Sequence, residues 1–294
     1  MTNIRSQITA IRTRLEPAYP AEEADALAWW IMEELTGLDR THLLFGCKDT
    51  KNIPNRQTID EIIARLLQNE PIQYIFGHTL WNGLDLLVTP DTLIPRPETA
   101  ELVEQILNLK FQISNAPVRV LDIGTGSGCI AIALKKAHPE WQVTGIDISP
   151  GAITVACKNA RRNNVEIDFK VADIFADSVF QSSLKETEGQ WLLVSNPPYI
   201  CEKEKSSMRR NVLDYEPSAA LFVPDADPLR FYRRIAELGA SNFRRPASDC
   251  FLFFEINEAY PAELSDMLDG LGYTDIQIFH DIYGKPRIIQ CRLA

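Results

Sequence analysis

Val118-Arg-Val-Leu-Asp-Ile-Gly-Thr-Gly-Ser-Gly128, running straight into Cys129-Ile-Ala-Ile-Ala-Leu-Lys-Lys-Ala137, decides the fold of this chain. Val118 to Ile123 is a short apolar strand, and the run from Cys129 has helical character. A glycine turn between strand and helix lets a ligand come close to the backbone and presents helix N-terminal N–H groups to it. Gly124, Thr125, Gly126, Ser127 and Gly128 are therefore expected to hold a nucleotide-like cofactor.

The next apolar strand, from Trp141 to Ile148, carries Asp147 near its end. A carboxylate there suits the two ribose hydroxyls of an adenosine, which fits a dinucleotide and S-adenosylmethionine equally. The glycine spacing separates the two. A dinucleotide turn calls for glycine where this chain has Cys129, whereas Gly124, Gly126 and Gly128 behind Asp122 match the first motif of class I methyltransferases.

Downstream, Trp191-Leu-Leu-Val-Ser195 opens into Asn196-Pro197-Pro198-Tyr199. An amide nitrogen is a poor nucleophile because its lone pair is delocalised, so alkylating one requires a grip on both N–H bonds. The Asn196 side-chain carbonyl accepts one and the Pro197 main-chain carbonyl the other. Two prolines lock φ, and Tyr199 offers a flat face for the planar group. Methyl transfer to a planar nitrogen is the chemistry this pattern suits, although Asn-Pro-Pro is also ordinary turn chemistry.

Strands alternate with helices elsewhere in this half. Pro150 to Asn163 reads as a helix, Ile167 to Val171 as a strand leading to Asp173, Cys250 to Ile256 as another strand, and Asp275 to His280 with Arg287 to Leu293 as an antiparallel pair. The expected architecture is α/β, doubly wound and mostly parallel. In such sheets ligands bind past the carboxyl ends of the strands, where Gly124, Asp147, Asp173 and Asn196 all fall. Asp173 and Ile174 are expected at the adenine, with a turn-capping role for Asp173 as the alternative. Arg96, between Pro95 and Pro97, is either an ion-pair partner or a group facing the cofactor. Glu216 either borders the acceptor entrance or simply precedes Pro217 in a turn. Glu202 to Arg210 is either a loop over the acceptor pocket or a solvated helix start.

Residues 1 to about 70 read as helical, with Ile4, Ile8, Ile11 and Leu15 on one face and Ile59, Ile62, Ile63, Leu66 and Leu67 on another. No chemistry is visible in this bundle, so docking is its expected role; Trp29-Trp30 is either core or a partner anchor. Ile72 to Phe76 and Leu84 to Val88 read as strands of a hairpin turning at Asn82-Gly83, a connector over residues 71–90. The methyltransferase domain then covers residues 91–294.

The chain has 294 residues, 45% of them hydrophobic, which is ample for two cores. A net charge of -10 argues against direct nucleic-acid binding, which relies on clustered Lys and Arg. Its six cysteines form no Cys-x-x-Cys pair and no metal-ligand pattern, so no metal is expected. There is no membrane-length apolar run and no signal-peptide core, which points to the cytoplasm.

The chain resembles the peptide chain release factor glutamine N5-methyltransferases, the PrmC/HemK family, over nearly its whole length. Leu93-Ile-Pro-Arg96-Pro-Glu-Thr99, Asp122 to Gly128, Ser195 to Tyr199, Tyr215-Glu-Pro217 and Gly284-Lys-Pro-Arg287 carry the likeness. The resemblance implies a Rossmann-like, mostly parallel seven-stranded sheet with an N-terminal helical bundle. It implies S-adenosyl-L-methionine as cofactor, S-adenosyl-L-homocysteine as product, and the glutamine of the Gly-Gly-Gln loop of release factors as substrate. Asn196, Pro197, Pro198 and Tyr199 would hold the substrate amide, and Gly124 to Gly128 with Asp147 the cofactor. Many relatives have an aromatic residue after the third-strand aspartate, where this chain has Ile174. Ribosomal-protein glutamine or nucleic-acid amino methylation is the alternative function.

Overall fold

The computed structural model describes residues 4–45, 54–109, 117–176, 190–243 and 250–293. Contacts divide it into one unit of residues 1–77 with 209–215 and another of residues 78–208 with 216–294.

The first unit is built from α1 (Ile4–Leu15), α2 (Ala21–Thr36), α3 (Arg40–Phe45), α4 (Arg56–Leu67) and α5 (Ile72–Phe76). Ile8, Ile11 and Leu15 of α1 meet Leu27, Ala28 and Ile31 of α2 and Ile59, Ile63 and Leu66 of α4 in one apolar cluster. Helical spacing places these side chains on single faces, so burying them fixes the bundle. Asn55 starts α4 by accepting a hydrogen bond from the Gln57 N–H at 3.0 Å. Trp29 and Trp30 both pack against the core while staying half-buried. The Arg40 guanidinium lies 4.6 Å from the Trp29 ring centre, and the Trp30 indole donates to Glu34.

One expectation fails here. Ile72 to Phe76 is a helix and not a strand, because Pro71 caps its start and Gly77, at φ 76°, ends it in the left-handed conformation. The β-branched and aromatic residues that suggested a strand serve instead to bury Ile72 and Tyr74. Residues 209–215 also pack with this unit. Arg209 pairs with Glu23 at 3.3 Å, and the Tyr215 hydroxyl donates to the Gln68 carbonyl at 3.0 Å.

The second unit opens with a hairpin of β1 (His78–Trp81) and β2 (Leu84–Leu87). Asn82 and Gly83 both take positive φ at its turn, which matches the right-handed strand twist. The hairpin is anchored to this unit. Trp81, Leu84 and Leu86 are buried with Leu102, Val103 and Ile106 of α6 (Pro97–Leu107), and the Trp81 indole donates to the Arg96 carbonyl at 2.7 Å. Asn159 grips β2 from the other side, accepting from the Leu87 N–H at 2.6 Å and donating to the Leu87 carbonyl at 2.9 Å.

The main sheet has seven strands: β3 (Val118–Ile123), β4 (Gln142–Asp147), β5 (Asp168–Val171), β6 (Gln190–Ser195), β9 (Cys250–Glu255), β10 (Tyr273–His280) and β11 (Pro286–Leu293), in the order β10-β11-β9-β6-β3-β4-β5, while β7 (Ile200–Cys201) and β8 (Phe222–Val223) pair separately. The strands from β9 to β5 run parallel, and β11 and β10 close the edge antiparallel. Apolar clusters cover both faces. Leu192, Leu193, Val194 and Phe253 are 0% exposed at its centre, each contributing about 1.5 to 3 kcal/mol through burial.

The chain lays down β3, β4 and β5 in one direction and then returns to the opposite side of β3 with β6. The strand order therefore reverses between β3 and β6, where open sheets form their ligand crevice. Ile123 and Ser195 are register partners, and the Ser195 hydroxyl donates to the Ile123 carbonyl at 2.6 Å. Gly124 and Asn196 consequently leave the sheet side by side.

Candidate active site

A cavity of about 580 Å³ opens over these strand ends. Gly124, Thr125, Gly126, Ser127, Asp147, Asp173, Ile174, Asn196, Pro197 and Pro198 all line it. Gly128 and Tyr199, also expected at the site, are not among the lining residues.

Each half of the glycine turn has its own reason. Gly126 sits at φ 54°, and a Cβ built on it meets only the Gly124 carbonyl, at 4.0 Å, so a side chain there would enter the cavity. Gly128, at φ 81°, caps α7 (Cys129–Ala137), where a Cβ would press on Ala156, Ile132 and Phe169 at 3.2 Å. It serves packing beneath the turn.

Asp147 fixes the turn from β4. One carboxylate oxygen accepts from the Gly126 N–H and the other from the Ser149 N–H, both at 2.9 Å. Burial raises its pKa against those backbone donors. Asp122, 0% exposed under the same turn, accepts from the Thr125 hydroxyl at 2.6 Å and from the Ala131 N–H at 3.3 Å through one oxygen. Its other oxygen is buried with no hydrogen-bond partner among the described residues. Burial pushes Asp122 up to about 7, with the nearby Asp147 charge adding to the rise.

Both carboxyls thus have folded values above their unfolded ones, so the stability they contribute is present at low pH and lost as pH rises. For Asp122 the loss runs from about 4 to about 7 and amounts to roughly 4 kcal/mol. Urea unfolding of the cofactor-free protein should show stability falling between about pH 4 and about pH 7, and Asp122→Asn should flatten much of that slope. An unchanged slope in the variant would assign the effect elsewhere.

The cavity wall beyond β5 is more aromatic than the sequence suggested. Asp173 accepts from the Phe175 N–H at 2.9 Å, which closes a tight turn and brings Phe175 into the lining beside Ile174. The Phe175 ring meets Phe231 edge-on at 5.4 Å, and the Arg230 guanidinium lies 4.5 Å from its centre. Arg234 donates to the Ile174 carbonyl at 2.7 Å. The flat wall missing at position 174 is thus supplied one residue later. The signal was the ring in the sequence, but only the turn geometry shows that it faces inward.

Arg96 and Glu216, 120 residues apart, form a single latch at 2.6 Å. The Glu216 carboxylate is fully buried and also accepts from the Ile94 N–H at 3.2 Å. Arg96 both pairs with it and lines the cavity, so the two options left open for it are realised together. Glu216 pins the Ile94 to Arg96 segment, while its neighbour Pro217 reaches the cavity. Glu216→Ala should cost about 2 kcal/mol in chemical denaturation by stripping a buried main-chain donor and a charged partner. A loss below about 0.5 kcal/mol would show the latch to be idle. Residues 202–207 form a 3₁₀ helix, as a helix start would.

At the end of β6, the Asn196 amide donates to the Thr99 hydroxyl oxygen at 3.1 Å. The Tyr199 ring packs partly buried against the core, and its hydroxyl donates to Glu255 at 3.1 Å. Burial together with the Glu255 charge drives the Tyr199 pKa well up, so the hydroxyl keeps its proton. Its contribution to the site is made from behind Asn196. Glu255 was not singled out from sequence, although a lone acid ending the otherwise apolar run Cys250 to Phe254 was the available signal.

The cavity fits S-adenosylmethionine. Two glycines leave room for it, the Asp147 carboxyl lines the cavity at the turn, and Ile174 and Phe175 provide an apolar wall. A doubly wound sheet with this turn and this second-strand acid at its switch point defines a class I S-adenosylmethionine-dependent methyltransferase. The family models agree: the Methyltransferase small domain matches residues 101–214 and the PrmC N-terminal domain residues 8–77. The chain is 44% identical to the release factor glutamine methyltransferase of Bacteroides thetaiotaomicron, over 97% of this chain and 98% of that one. It is 38% identical to the protein of the same name from Flavobacterium psychrophilum, over 98% of each. The solved human methyltransferase 10 domain containing protein superposes with a TM-score of 0.51 at 16% identity, over 72% of this chain and 88% of that one, which supports the fold alone. The chain belongs to the release factor glutamine methyltransferase family. Among the described residues no helix is long and apolar enough to cross a membrane.

Proposed function

We propose that this protein methylates the side-chain amide nitrogen, N5, of the glutamine in the Gly-Gly-Gln loop of peptide chain release factors, in the cytoplasm. The observation that carries this reading is the shared cavity: Asn196 and Pro197 line the same 580 Å³ space as Gly124 to Ser127. When bound, S-adenosylmethionine supplies an electrophilic sulfonium methyl. Gly124, Thr125, Gly126, Ser127 and Asp147 would hold it, and Asp173, Ile174 and Phe175 would border its adenine.

The protein then has to align an amide nitrogen and keep its plane fixed, which contributes up to about 7 to 11 kcal/mol in favourable cases. The Asn196 Oδ1 accepts one amide N–H and the Pro197 carbonyl accepts the other, so the lone pair is turned toward the methyl. Accepting both hydrogens also favours the charge that develops on the nitrogen. The surplus proton is acidic enough to leave to a carbonyl or to water, so no strong base is needed. The helical unit docks the release factor and contributes no reacting group. Incubation with labelled S-adenosylmethionine and a purified release factor, followed by peptide mapping, tests the reading. Label on the Gly-Gly-Gln glutamine is expected, and label confined to another protein or to nucleic acid would refute it.

A further inference from the structure

Asparagine is useful at this site only in one of its two orientations. With Oδ1 facing the cavity it accepts an amide hydrogen, whereas with Nδ2 facing the cavity it repels one. The backbone of residues 196–198 does not distinguish these two states, because the carboxamide is nearly symmetric in shape. Its hydrogen-bond partner has to make the choice.

That partner is the Thr99 hydroxyl, which has a single proton. Thr99 stands in the first turn of α6 and is 2% exposed, and its hydroxyl donates to Glu255 Oε2 at 2.7 Å. Glu255 ends β9, is also 2% exposed, and accepts a hydrogen bond from the Tyr199 hydroxyl on Oε1 at 3.1 Å. Its main chain is held as well, since the Tyr232 hydroxyl donates to the Glu255 carbonyl at 3.1 Å. With its proton committed to a carboxylate, Thr99 has only lone pairs left for Asn196, and so it receives Nδ2–H at 3.1 Å.

We propose that Glu255 and Thr99 are positioning residues that order the hydrogen bonds behind Asn196 and thereby turn its Oδ1 toward the substrate amide. The order runs in one direction, from Asn196 through Thr99 to Glu255, with Tyr199 filling the second oxygen of the carboxylate. Glu255 is the sink because an ionised carboxylate only accepts. Burial, with the Glu98 charge adding to it, raises the Glu255 pKa, while the hydrogen bonds from Thr99 and Tyr199 and the Arg287 charge oppose that rise and favour the ionised carboxylate. The same arrangement explains why an acid is tolerated in an otherwise apolar strand end. It also restricts the acceptor to groups carrying N–H bonds, which a primary amide satisfies and a carboxylate does not. The proposal rests on the amide-gripping role of Asn196 given above.

Two measurements on the full chain test it, one of them independent of any substrate. In protein labelled with ¹⁵N-asparagine, the Asn196 Nδ2 hydrogens should exchange slowly in wild type and in Thr99→Ser. In Thr99→Val, which keeps shape but removes the hydroxyl, they should exchange at least about tenfold faster. In methyl transfer to a release factor, Thr99→Val should lower kcat on the order of 10- to 100-fold with S-adenosylmethionine affinity unchanged, and Thr99→Ser should restore it. Thr99→Ala replaces the valine variant if the latter fails to fold. Unchanged exchange in the hydroxyl-free variant, or wild-type kcat in it, would overturn the ordering. Altered exchange together with a wild-type enzyme that leaves release factors unmethylated would retain the ordering and refute the substrate instead.

Discussion

Asn196→Ala should reduce methyl transfer to a release factor by at least about 1000-fold while leaving S-adenosylmethionine affinity within a few-fold of wild type. The expected split follows from where the side chain points its bonds. Asn196 lines the cavity at the end of β6 and bonds to Thr99, and it makes no hydrogen bond to the glycine turn. Removing it leaves Gly124 to Ser127 and Asp147 untouched, but abolishes one of the two acceptors proposed for the substrate amide. Single-turnover kinetics and cofactor calorimetry measure the two quantities separately. Parallel losses in both would mean that residue 196 shapes the cofactor site, and unimpaired turnover would remove it from the chemistry.

Gly126→Val should have the opposite signature. Position 126 combines φ 54° with open cavity beyond its Cβ, so a branched side chain meets backbone strain and occupies cofactor space at once. The strain costs about 1 to 2 kcal/mol, which a protein with two well-filled cores tolerates. Cofactor affinity should fall by at least about 100-fold, the equivalent of roughly 3 kcal/mol, with the far-ultraviolet spectrum unchanged. Calorimetry that finds wild-type affinity in a folded variant would place the cofactor outside this turn.

Where periodicity and chemistry agreed, sequence alone was enough. The run from Val118 to Ala137 specified strand, turn and helix because each local preference supported the others. The helical bundle was legible for the same reason, its apolar residues recurring on single faces. Ile72 to Phe76 misled because five apolar residues carry no usable period, and the outcome was set by Pro71 and Gly77 at its ends. The Asn82-Gly83 turn and the strand after it were readable, but not the first strand at His78–Trp81, nor the hairpin's attachment, which depends on Asn159 reaching back 72 residues to Leu87.

The site divides along similar lines. Residues that act through the backbone of a single turn, such as Gly126 and Asp147, announce themselves by spacing. Those that act across the fold do not: Arg96 and Glu216 were both noticed, but their pairing over 120 residues is a product of tertiary structure. Thr99, Asn196 and Glu255 come from α6, β6 and β9, and no linear pattern links them. Tyr199 looked like a stacking surface because it directly follows the prolines. The bond from its hydroxyl to Glu255, and the packing of its ring against the core, were not visible in the sequence.

The central claim is that a carboxamide at residue 196 grips a second, substrate-borne carboxamide through its N–H bonds. Enzyme preloaded with S-adenosylmethionine, mixed with a release factor carrying either the native Gly-Gly-Gln loop or a Gln→Glu change in it, tests this most directly. One methyl should appear by mass spectrometry on the native glutamine, and none on the glutamate protein, which offers no N–H to hold. Equal methylation of both proteins, or transfer to a residue outside the loop, would contradict the account.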